Sequence, residues 1–145
     1  MRNIKFIFLI FFLFLFSNSY GAEKQKLSVQ EVYELQERCG KSAAEFFKKK
    51  YGTDLDYAGS GTTHHYNCHY NQKLNKCFIL ITGTFNRTKD AEEKISMMIE
   101  LYDVQENALY GLFSTLPEKL SCTFLGVDCP SKTVWDKLIA PFMTE

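Results

Sequence analysis

The sequence carries no net charge, its 17 basic side chains being matched by 17 acidic ones. Nucleic-acid binding needs a clustered basic surface that displaces counterions. The one dense basic run, Lys48-Lys49-Lys50, falls at the end of a predicted helix, where cations complement the helix dipole. Nucleic acid is therefore excluded as a partner. A long apolar run is also missing. The longest, Phe6 to Phe16, has eleven residues, against the roughly 20 that a bilayer-spanning helix requires. There is no internal repeat and, outside that run, no low-complexity tract.

Several catalytic and cofactor patterns are absent too. Ser60 lies in Gly59-Ser60-Gly61 after a predicted loop, whereas a nucleophile elbow needs G-x-S-x-G after a strand. Covalent haem attachment needs C-x-x-C-H, and the only Cys-His dipeptide, Cys68-His69, has Asn67 and His65 before it and no second cysteine at the required spacing. Asp54 to Gly59 begins like a calcium loop. Ala58, however, replaces an oxygen ligand, and His65 stands where the bidentate glutamate belongs. No cofactor is expected.

What is present starts with a leader. Arg2 and Lys5 precede the apolar run, and Ser-Asn-Ser-Tyr-Gly follows it, the order of a secretory signal peptide. Small residues precede two cleavage points, after Gly21 and after Ser19, and the first is preferred. Residues 1–21 are thus expected to be removed, leaving 22–145 as one domain that is secreted or periplasmic and holds no membrane contact after cleavage. The leader takes two basic residues and no acidic one with it, moving the formal charge from 0 to −2.

Ser28, with Glu31 three residues on and Leu27 and Val32 around it, is a capping box with its hydrophobic staple. Val32, Leu35, Cys39, Ala43 and Phe46 then recur at helical spacing, Phe47 widens that face, and Gly52 supplies a stop. A helix is predicted over 29–50. Residues 52–61 read as a loop. Residues 62–70 and 76–85 read as a β-hairpin around the polar turn Asn71–Asn75, with a second arm apolar on both faces. Asn86 to Glu93 reads as a polar link, whose Asn86-Arg87-Thr88 is a glycosylation sequon only in a eukaryotic secretory route. Residues 94–104 alternate with period two and are read as a strand, although their Met, Glu and Leu content also suits a helix. Ala108 to Ser114 make a fourth strand and Ser121 to Gly126 a short edge strand. A last helix follows Cys129-Pro130-Ser131, its apolar side formed by Val134, Trp135, Leu138, Ile139 and Phe142, with Pro141 ending or kinking it. The expected class is α+β: an N-terminal helix, a four- to five-stranded antiparallel meander and a short C-terminal helix, both helices packed on one face of the sheet. Ile79, Ile81, Ile99 and Leu101 are expected in its core.

Thr62 to Cys77 holds three histidines and two cysteines. All are competent metal ligands. In a strand, however, His65 and His69 lie about 13 Å apart on one side, and His64 and Cys68 equally far apart on the other. No metal site is therefore predicted. Tyr66, Cys68 and Tyr70 should line an inner face with His64 near its edge, leaving Thr63, His65, Asn67 and His69 to solvent.

The cysteines number five, at 39, 68, 77, 122 and 129. Export makes disulfides the default, and an odd count leaves one thiol free or paired between chains. Cys122 and Cys129 flank a segment with the turn formers Gly126 and Asp128, so a local loop closes them. Cys39 lies on the buried helix stripe and Cys77 opens the central strand, which favours a helix-to-sheet bond; Cys39–Cys68 is the runner-up. The expected pairs are Cys39–Cys77 and Cys122–Cys129, with Cys68 an unpaired, mostly buried thiol.

Three stretches, ERCGKSAAEFFKKKYG (37–52), HYNQKLNKCFILI (69–81) and DCPSKTVWDKLIAPFM (128–143), together resemble a family of small, uncharacterised exported bacterial proteins. The resemblance implies a bacterial origin and no activity. The expected function is a non-enzymatic binding domain for a protein or small-molecule partner. The alternatives are an inhibitor of an exported hydrolase, a lysozyme or protease, using a protruding loop at 52–61 or 86–93, and a small enzyme built on Cys68 and a neighbouring histidine.

Overall fold

The computed structural model describes residues 27–52, 56–57, 62–89, 92–116 and 119–144. The expected leader at 1–21 and most of the expected 52–61 loop lie outside the described residues. Helix α1 spans Val29–Tyr51. Its capping box forms: the Ser28 hydroxyl accepts from the Glu31 N–H, and the Glu31 carboxylate accepts from the Ser28 N–H at 2.7 Å. The helix stops at Gly52, whose φ of 85° is open to glycine at little cost. Cys39, Ala43 and Phe47 are its buried residues; of the two phenylalanines on the expected face, Phe47 lies deeper and Phe46 is half-buried.

Strands β1 (Asp56–Tyr57), β2 (Thr62–Asn71), β3 (Lys76–Lys89), β4 (Glu92–Asp103), β5 (Ala108–Leu116), β6 (Lys119–Phe124) and β7 (Val127–Asp128) form one antiparallel sheet in sequence order. Helix α2, Lys132–Met143, ends the fold, capped by the Ser131 hydroxyl accepting from the Val134 N–H. The α+β order is as expected. Two strands beyond the expected five are two-residue ribbons at the sheet edges. The polar link at 86–93 is largely strand instead, with Asn86 paired to Ile95 and Lys89 to Glu92.

The placement of the helices differs from the sequence reading. They cover opposite faces. On the α1 side Ala43 and Phe47 pack with Ile79, Ile81 and Tyr102. On the α2 side Trp135 and Ile139 pack with Phe78, Ile99, Leu101, Phe113 and Phe124. The reason lies in β3, which points Phe78 and Leu80 one way and Ile79 and Ile81 the other. A strand apolar on both faces needs cover on both. All four expected core residues are buried, two on each side. Pro141 stands in the last turn of α2 without ending it there, and Leu138 is exposed.

At one end of the sheet the β2–β3 and β4–β5 turns are tied together. Lys76 bridges buried Asp103 at 2.6 Å and Glu106 at 2.7 Å, and donates to the Tyr110 hydroxyl at 3.1 Å. The Asp103 carboxylate also accepts the N–H groups of Gln105 and Glu106. Asn75 and Asn107 take φ values of 52° and 51° in these turns, the left-handed geometry asparagine tolerates.

Under α2, Gly111 leaves room for a ring. A Cβ built there would stand 2.5 Å from the Trp135 indole and 2.8 Å from the Phe124 ring. Neither ring can retreat in a packed core. Gly111→Ala is therefore expected to cost about 1–3 kcal/mol, measured by urea denaturation. A loss under about 0.5 kcal/mol would mean that the indole does not press on β5.

Candidate functional site: a groove beside the end of α1

Strand β2 divides the His/Cys cluster as its pleat requires. His64, Tyr66, Cys68 and Tyr70 face α1; His65, Asn67, His69 and Asn71 face the other way. Among the described residues no group of three or more His, Cys, Asp or Glu is placed to hold a metal ion. His64 is buried, its ring 4.4 Å from the Tyr51 ring and edge-on to Phe85. It lies over Gly83, where an added Cβ would come within 3.0 Å of the imidazole. Burial holds its pKa below the usual histidine value. His69, expected in solvent, is half-buried because α2 covers that face of β2, and its Nε2 has no partner.

Cys68 stands apart from the other cysteines, and it is exposed where the sequence reading had it mostly buried. The adjoining inner residues are roofed by rings from α1: Tyr51 over His64 and Phe47 over Tyr66. Toward its N-terminus α1 carries Gly40, where an added Cβ would meet nothing within 4 Å. Partial desolvation pushes the Cys68 thiol above its ordinary pKa. Adjacent His69 points to the opposite face, and His64, on the same face, is about 13 Å along the strand. An activated nucleophile needs a lowered pKa and a base within hydrogen-bond reach. Cys68 has neither.

The other four cysteines come together in pairs. Cys39 and Cys77 have Cα atoms 5.3 Å apart, and Cys122 and Cys129 5.0 Å, with their sulfurs at disulfide distance. The first pair joins α1 to β3. The second closes the β6–β7 ribbon.

At the C-terminal end of α1 the structure builds a polar cluster that sequence reading missed. Glu100, on β4, is buried and accepts from the Tyr51 and Tyr102 hydroxyls, the latter at 2.8 Å. Lys50 donates to the Tyr102 hydroxyl, stands 3.7 Å from the Glu100 carboxylate and lies over the Tyr102 ring at 4.0 Å. Burial, then the carboxylate, holds both phenols far above their ordinary pKa, so they remain donors. The arrangement clamps the end of α1 to the sheet. Its only sequence signal was a glutamate within an alternating strand, which reads as solvent-facing.

Beside this clamp, between α1 and the β4–β5 turn, lies an open groove of about 540 Å³. Phe46, itself 5.2 Å from the Tyr102 ring, and Val104 form an apolar floor. Lys49 and Lys50 line one part; Ser42, Glu45 and Asn107 line the rest. Thus two of the three lysines that read as a solvated helix end form a wall. The volume falls within the range of small-molecule sites.

No helix among the described residues is long and apolar enough to cross a membrane. No protein-family model, curated protein or solved structure matches this chain.

Proposed function

We propose that the protein is an exported, non-enzymatic binding domain, and that its ligand enters the groove beside α1 with an anionic group next to an apolar part. The observation that carries this reading is that Lys49, outside the clamp, and Lys50, whose ammonium the clamp holds, line one concavity with the aromatic and aliphatic floor of Phe46 and Val104. Two cysteine pairs at disulfide distance fit an oxidising compartment, and the resemblance to small exported bacterial proteins points the same way. A Cys68 enzyme is disfavoured by the separation of the thiol from each histidine.

Decanoate is a suitable probe, with decanol and decylamine as neutral and cationic controls. Amide shifts on titration are expected to centre on Phe46, Lys49, Val104 and Asn107. Lys49→Glu, an exposed position outside the clamp, should weaken decanoate binding about tenfold, the scale of an exposed ion pair lost and replaced by repulsion. Equal binding of all three probes, or shifts scattered over the surface, would discard the groove as an anion-selective site.

One feature favours the hydrolase-inhibitor reading as second choice. Beyond the pair Thr62–Phe85 on one side and Met98–Ser114 on the other, β3 and β4 pair, among the described residues, only with each other through 86–89 and 92–95. Four residue pairs project about 13 Å past the sheet, the kind of arm an inhibitor inserts into a cleft. Inhibition of a lysozyme or an exported protease, lost when 88–93 is replaced by a short Asn-Gly turn, would move this reading to first place.

A further inference from the structure

The two edges of the sheet are finished differently. At one edge β7 is a two-residue ribbon with the Cys122–Cys129 pair at its base. At the other edge β1 covers β2 only at Thr62 and Thr63. From His64 to Asn71 the outer side of β2 has no strand neighbour among the described residues.

Which backbone groups face outward follows from β3. The Cys77 N–H donates to Gln105 Oε1 and its carbonyl accepts from the Val104 N–H, both at 2.9 Å and both on the β4 side. The facing pair Tyr70–Cys77 therefore exchanges no hydrogen bonds. By the alternation of an antiparallel ladder, neither do Cys68–Ile79 and Tyr66–Ile81. The N–H and C=O groups of Tyr66, Cys68 and Tyr70 point out of the sheet edge.

Exposed edges are ordinarily protected by a charged side chain, a proline, a bulge or short length. β2 has none of these. Thr62 to Asn71 contains no Lys, Arg, Asp, Glu or Pro, and its register with β3 runs unbroken over ten pairs. At its centre stands the exposed, unpaired thiol of Cys68.

We infer that a second copy of this chain pairs antiparallel along β2 about a two-fold axis at Cys68, and that the two Cys68 thiols close a disulfide across it. This register sets Tyr66 against the partner's Tyr70 and Cys68 against the partner's Cys68. Each of these pairs exchanges two hydrogen bonds, and no like charges meet. The contact is isologous and closes as a dimer. In such a pair the Cα atoms stand about 5.5 Å apart with both side chains on one face, inside the span a disulfide bridges. The thiol is exposed on that face.

The chemistry is thiol–disulfide exchange with a disulfide oxidant of the export compartment. One Cys68 thiolate attacks the oxidant, forming a mixed disulfide and releasing one thiol. The second Cys68 thiolate then displaces the other thiol. Two protein thiols are oxidised and one oxidant disulfide is reduced. This dimer does not depend on the groove, which opens on the β4 flank of α1.

Glutathione disulfide is the probe oxidant for the protein exported from its full chain. The expected product has twice the monomer mass and yields a Cys68–Cys68 peptide on non-reducing digestion. Amide exchange at Tyr66, Cys68 and Tyr70 should slow at least tenfold relative to Cys68→Lys, which sets like charges on the axis and stays monomeric. Should Cys68→Lys not fold, Cys68→Ser diluted until monomeric supplies the same reference. Three results would overturn the inference: a monomer carrying glutathione on Cys68, a Cys68→Lys dimer, or a cross-linked dimer whose three amides exchange as fast as the monomer's.

Discussion

Trp135→Ala is expected to cost about 3–5 kcal/mol, the range for removing a large aromatic side chain from a packed core. Trp135 is fully buried, tilted against Phe113 and edge-on to Phe124. It joins α2 to β5 and β6, and few other side chains of the short helix reach the sheet. Buried Ile139 and half-buried Phe142, whose ring meets Phe78 and Phe124, are the main ones. The indole Nε1 has no hydrogen-bond partner, so Trp135→Phe gives up volume but also an unpaired donor. The phenylalanine variant should therefore lose under about 1.5 kcal/mol. Equilibrium denaturation of both variants measures the difference. A loss below about 1 kcal/mol for the alanine variant would show that α2 does not dock on that face.

Removing the Cys39–Cys77 link, by changing both residues to alanine, is expected to cost about 2–5 kcal/mol. The bond spans 38 residues and fastens the middle of α1 to the start of β3. Chain-entropy reasoning gives about 4 kcal/mol for a loop of that length, and about 2 kcal/mol for the seven-residue separation of Cys122 and Cys129. Melting the two double-alanine variants side by side should reproduce that order, with α1 the element that loosens first in the Cys39/Cys77 variant. Non-reducing peptide mapping checks the connectivity. A peptide joining Cys68 to another cysteine of the same chain would defeat the assignment.

Local chemistry was enough to place most elements. The Ser28–Glu31 box and Gly52 bound α1 because capping groups act within one turn. The hairpin register, closed by Asn71 and Lys76, follows from a polar turn between two strand-forming runs. The alternation from Ile95 to Leu101 identified β4 although its residue types suit a helix, because which face is buried outweighs intrinsic propensity.

Periodicity tells which side chains point together; it is silent on what covers them. That is why the helices could be listed from sequence but not assigned to faces. Phe78 and Leu80 needed α2 where Ile79 and Ile81 needed α1. The same limit misplaced two side chains. Cys68 shares a face with buried Tyr70, yet it is exposed; His69 points away from α1, yet it is half-buried on the face that α2 covers. The clamp on Glu100 brings Lys50 and Tyr51 to a carboxylate about fifty positions along the chain, and only the packing of α1 on the sheet brings them within reach. The sequence by itself determined most of the elements, the alternating faces and the odd cysteine, all consequences of short-range geometry. Tertiary structure alone decided which faces are covered, which thiol meets solvent and where a groove opens, since each depends on contacts between segments far apart in the chain.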